Sequence, residues 1–214
     1  MSRTVLADML AFDRDAFFAL FAAYNGAIWP AQVVAYALGL LVLAAAFWRL
    51  PQRGRLVAAV LAAMWAWNGV AYHWTYFATI NFVAPVFAGV FVAQALLLAW
   101  ACLRGSLRMP AKPGLAGWTG IALMLFALVG YPLWGWLNGD TWPAMPAFGV
   151  APCPTVIFTL GALLLARAPW WLFVIPLLWA AVGGSAAWLL DVQQDLSLPV
   201  AGLVAVAAVL LRRR

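Results

Sequence analysis

Residues 65–85 read WAWNGVAYHWTYFATINFVAP. The stretch contains no Asp, Glu, Lys or Arg, yet it holds Asn68-Gly69, the chain's only histidine (His73), Tyr72, Tyr76 and Asn81. The apolar runs it links, 56–76 and 82–102, each have about the twenty residues that a helix needs to cross a bilayer. The stretch therefore reads as the turn of a membrane hairpin together with the polar end of one of its helices. Polar groups at that depth are costly and require a reason.

Working outward, the same pattern recurs along the chain. Apolar runs at 28–48, 115–137, 151–166, 170–190 and 196–211 bring the expected spans to seven, in an all-α polytopic transmembrane helix bundle. Residues 1–24 mix Leu6, Met9, Leu10, Phe17, Phe18 and Phe21 with charges, which suits a helix lying on the membrane surface. Two units follow, an N-terminal surface segment at 1–24 and a seven-helix domain at 25–214. The first residues lack the basic-then-apolar order of a cleavable signal. Composition agrees: 68% of residues are hydrophobic and 8% charged, with a mean hydropathy of +0.99, far from the mix of a water-soluble domain. Fourteen tryptophans, many near span ends, suit the headgroup interface.

Charge supplies orientation. The connections after spans one, three and five and the C-terminus hold Arg49, Arg53, Arg55, Arg104, Arg108, Lys112, Arg167 and Arg212 to Arg214, while all six aspartates lie at the N-terminus or in the other connections. The basic residues thus act as topology signals rather than as a nucleic-acid surface. They place the C-terminus in the cytoplasm and the N-terminus outside, at a bacterial inner membrane. Each outward-running helix after the first carries a disruption in its outer half: Asn68-Gly69, Gly130-Tyr131-Pro132 and Gly183-Gly184-Ser185. Each returning helix has proline near its start: Pro85, then Pro152 and Pro154, then Pro199. One leading helix followed by three hairpins accounts for this, and so does the general frequency of Gly and Pro in membrane helices.

Several motifs carry a family resemblance: YNGAIWPAQ at 24–32, the WxWNGxxYHW at 65–74 followed by Ile80-Asn81, PCPTxIFTLG at 152–161, PLLWAxxGGSAAWLL at 176–190 and QQDLSLP at 193–199. Together they resemble a bacterial multi-pass membrane family catalogued only as a domain of unknown function (family 6064), whose members are often labelled MFS transporter permeases. The resemblance spans nearly the whole chain. It implies a small integral membrane protein without established chemistry, and 214 residues are too few for a twelve-span transporter of that class. The family pattern has proline directly after Ile-Asn, where this chain has Phe82 and then Pro85.

Trp65, Asn68, Tyr72 and Tyr76 recur at helical spacing and share one face, with His73 about 100° round from Tyr72. Asn81, Asn138, Asp140, Cys153, Thr155, Asp191, Gln193, Gln194 and Asp195 are expected in the same outer half. The candidate ligand-binding set is Trp65, Asn68, Tyr72, His73, Tyr76, Asn81, Asp140, Cys153, Thr155 and Asp191, lining an outward-open vestibule for a small polar or cationic solute. The same residues could instead join helices by hydrogen bonds, each contributing about 1 kcal/mol. A metal-binding or catalytic site using His73 and Cys153 lacks ligands, since there are one histidine and two cysteines, with Cys102 expected at the far end. An acid–base pair of His73 with Asp140 or Asp191 has no accompanying nucleophile motif or phosphate loop. No cofactor is expected. The partners expected are the bilayer, a small solute, and a second copy or another membrane protein if the role is that of an accessory subunit.

The charge asymmetry makes a direct prediction. A reporter that fluoresces only in the cytoplasm, fused after Arg214, gives signal, and one active only outside does not. The reverse pattern eliminates the seven-span reading.

Overall fold

The computed structural model describes residues 11–48 and 51–212 and is all-α, with eight helical rods and no strand among them. They are α1 (Arg14–Ala27), α2 (Ala31–Ala44), α3 (Arg53–Thr79), α4 (Ala84–Arg104), α5 (Leu115–Leu137), α6 (Pro152–Leu165), α7 (Trp170–Leu190) and α8 (Gln193–Arg212). Five of them (α3, α4, α5, α7 and α8) are long and apolar enough to cross a membrane, at 20 to 27 residues each. At 1.5 Å per residue they reach about 30 to 40 Å. The bent pair α1–α2 passes the same test as one unit, but its arms meet at 87°. The leading span expected at 28–48 is therefore the α2 arm of an elbow centred on Ile28–Pro30. The helix starting at Arg14 runs straight through the unit boundary expected after residue 24. Leu6, Met9 and Leu10 of the expected surface helix lie outside the described residues.

Two clusters of connections define the ends. At the basic end, the Arg53 guanidinium donates to Trp48 O (2.7 Å), Pro110 O (2.7 Å) and Met109 O (3.1 Å), and Arg108 N donates to Ala166 O at 2.9 Å. A side chain at Gly54 would run into the Leu107 carbonyl, so only glycine admits this crossing. At the acidic end, Tyr24 Oη donates to Val150 O (2.8 Å) and Asn25 Nδ2 to Pro143 O (2.7 Å) and Met145 O (2.9 Å), which pins the long 138–150 connection onto α1. Between the ends the outer surface is strongly apolar. Leu96, Leu103, Leu115, Val86, Leu203 and Leu210 are all mostly exposed, and half-exposed tryptophans stand near both ends: Trp48, Trp100, Trp118 and Trp170 at one, Trp29, Trp74, Trp136 and Trp142 at the other. Such a surface is compatible with a bilayer.

The short run expected at 151–166 has a different place from its neighbours. Every residue of α6 except Cys153 is buried, and its 14 residues extend only about 21 Å. A helix that is apolar all round can be a span or a core element, and α6 is enclosed by α5, α7, α8 and α3. Its closest approach is to α5. A side chain at Gly120 would strike the Gly161 carbonyl, and one at Gly161 would strike the Gly120 carbonyl. Small residues at such a crossing let backbones touch, which is how apolar helices associate where no hydrophobic difference drives them.

Two of the three expected helix disruptions are π-helical segments, Asn68–Tyr76 in α3 and Phe126–Gly130 in α5, the second directly before Tyr131-Pro132. Proline cannot donate to the preceding turn and its ring clashes there, so a wide turn relieves both problems. The third, Gly183-Gly184, leaves α7 regular and serves packing instead: the place of a Gly184 Cβ lies 2.8 Å from the Pro199 ring of α8.

The glycine crossing predicts that Gly161→Val destabilises the protein by about 3 kcal/mol through overpacking, read as lower unfolding resistance in detergent. Gly89→Val, at a position with open space around it, serves as the control and stays near wild type.

Candidate functional site

Tyr72 and His73 are both buried within the π-helical segment. The residues expected on a single face, Trp65, Asn68, Tyr72 and Tyr76, meet different neighbours. Trp65 and Asn68 are structural ties: Trp65 Nε1 donates to Thr159 Oγ1 of α6 (2.9 Å), and Asn68 Nδ2 donates to Met64 O (2.8 Å) and across to Gly149 O (3.0 Å). Thr155 turns back on its own helix, donating to Ala151 O at 2.7 Å. Tyr76 is half-buried against the Tyr24 ring.

A cavity of about 200 Å³ lies at the acidic end, between α1, the far end of α3, α6, α7 and the start of α8. Of the expected residues, Tyr72, Asn81 and Cys153 line it. Asn81 also accepts from Val83 N at 3.0 Å, closing the turn into α4. The acid that reaches the cavity is Asp195, which is 4% exposed, while Asp191 is exposed at the α7 C-cap and accepts from Gln193 at 2.8 Å. Asp140 lies beside this core: it accepts from Gln194 Nε2 at 2.7 Å and pairs with Arg14 at 3.4 Å. Asn138 is exposed and bonds back to Trp134 O (2.8 Å).

Three groups were not expected from the sequence. Tyr131, fully buried in α5, donates its hydroxyl to Asp195 Oδ1. Trp179 of α7 lines the cavity, its Nε1–H making no well-formed hydrogen bond. Phenylalanines Phe17, Phe21, Phe77 and Phe87 complete the wall. Tyr72 is held between Phe21 (ring centroids 5.1 Å) and Phe77 (5.5 Å), both stacked, so the wall is preformed. The Cys153 thiol sits beside both Asp195 and Trp179.

His73 stands behind this wall rather than in it. Its Nδ1 meets Asn68 O at 2.9 Å, which makes Nδ1 the protonated nitrogen and leaves Nε2 buried without a partner. Its ring lies against Phe91 (4.4 Å) and Trp179 (5.1 Å). Among the described residues no three His, Cys, Asp or Glu side chains converge as metal ligands. Cys102 lies near the basic end of α4 and Cys153 in the first turn of α6; both are free thiols.

A family model, described as a family of unknown function (DUF6064), matches residues 14–214. The chain belongs to that family. No curated protein and no solved structure is matched.

The tie through Asn68 predicts that Asn68→Leu, which removes both bonds from a site enclosed by protein, lowers stability by about 1 kcal/mol. Asn138→Leu, at the exposed end of α5, leaves unfolding unchanged. Equal effects of the two replacements would remove the interhelical role assigned to Asn68.

Proposed function

We propose that this is a polytopic inner-membrane protein that binds or moves a small solute through a cavity opening at its acidic end. By the positive-inside rule that end is the outer face. Counting the α1–α2 elbow and α6 as one crossing each, seven spans reconcile every connection with its charge. The short α6 would then reach across only partway, supported by the helices around it.

The single observation that carries the reading is the aromatic-walled cavity with a buried carboxylate. Ligand sites are concave, mostly apolar and furnished with a few convergent polar groups, and here Asp195, Cys153 and Trp179 supply them. An intramembrane acid usually marks a pathway or a binding site. The transporter label attached to some family members adds nothing mechanistic.

Thermal unfolding of the purified protein across a broad solute library, paired with crosslinking in native membranes, tests the proposal. At least one solute raises the melting temperature saturably, and Trp179→Leu removes that shift. A stoichiometric protein partner with no stabilising solute would identify an accessory subunit instead.

A further inference from the structure

We propose that the cavity takes a small organic ammonium ion that carries an oxygen atom, with Asp195 as its counter-charge; this rests on the solute-binding reading above. Asp195 is nearly fully buried, and no Arg, Lys or His is among the described residues lining its cavity. Its neighbours are neutral donors, the Tyr131 hydroxyl and the Cys153 thiol. Among the described residues the arginine at this end, Arg14, is paired with a different acid, Asp140, whose second oxygen takes Gln194. A buried carboxylate with neutral donors but no cation costs free energy that a positively charged ligand recovers.

The walls favour the same class. Phe17, Phe21, Tyr72, Phe77, Phe87 and Trp179 all border the space, and aromatic faces and a desolvated cation attract one another. A metal ion would need several hard or soft ligands, whereas one carboxylate among rings suits an alkylated ammonium.

The oxygen requirement comes from Trp179. Its side chain is more than nine-tenths buried, and its Nε1–H, beside the Cys153 thiol, makes no well-formed hydrogen bond. Trp179 and Gly183 both line the cavity, so a ligand atom held there can accept from the indole. Cys153 adjoins both Asp195 and Trp179, so the acceptor and the donor are separated by one side chain. An ammonium and a hydroxyl or carbonyl a few bonds apart would engage both.

Cys153 is also the reporter. In full-length Cys102→Ser protein, its modification is timed with two methanethiosulfonates, one bearing trimethylammonium and one bearing sulfonate, each rate normalised to that of free cysteine. The cationic reagent reacts at least tenfold faster. Choline protects Cys153 saturably, while 3,3-dimethyl-1-butanol, its uncharged carbon isostere, does not, and tetramethylammonium protects more weakly than choline. Adding Asp195→Asn, which keeps an acceptor for Tyr131, abolishes the charge preference and the protection. The reagent comparison and the choline–isostere comparison need no change at Asp195, so a poorly folded variant does not blunt the test. Equal normalised rates, or protection by the isostere matching that by choline, overturn the cation assignment while leaving a solute site. Cys153 inert to both reagents means the cavity is closed, and the solute-binding reading falls with it.

Discussion

Two backbones touching at Gly120 and Gly161 set the geometry on which the rest of the bundle depends. Because neither glycine has a side chain to hold its partner away, α6 sinks into the middle of the molecule and α5 lies directly on it. From there α6 presents Thr159 to the Trp65 indole and Cys153 to the cavity, and α5 brings the Tyr131 hydroxyl onto Asp195. In a lipid setting such contacts are decided by fit, since apolar side chains gain little by leaving hydrocarbon for one another. The site is thus assembled on a core whose spacing is fixed some distance away.

The polar groups divide into two kinds. Asn25, Asn68, Gln94 and Trp65 each bridge separate elements through a side-chain N–H. Asp195, Trp179 and Cys153 are left facing a space. The contrast matters because a buried donor or acceptor without a partner is a standing cost, and here the unmet Trp179 donor and the buried carboxylate border one cavity.

Much of the fold was legible because the apolar runs are bounded by basic turns and prolines: α5 at 115–137 and α7 at 170–190 end where the hydropathy pattern ends. The elbow at Ile28–Pro30 was not, since a Trp-Pro pair reads equally as a helix entrance and as a corner. That α6 is enclosed by its neighbours was hidden because being apolar on every side describes both a lipid-facing span and a buried rod. The site was harder to read. Tyr131 and Trp179 looked like ordinary membrane aromatics, and Asp195 like one of several loop acids. Only the short link of Asp191 and Val192 between α7 and α8 carries it inward. Trp65, Asn68 and Thr155 were chosen by helical spacing, which finds a face without saying what the face meets.

The wide-turned segment Asn68–Tyr76 has a consequence for how such chains vary. Each of its hydrogen bonds spans one more residue than that of an α-helix. In evolutionary terms it behaves as an insertion absorbed within a helix. A relative built with regular turns here would align with a one-residue gap between positions 68 and 76, and everything C-terminal to the gap in that helix would keep its facing. Removing a residue without that compensation would instead swing Phe77 about 100° round the axis, taking it out of the cavity wall.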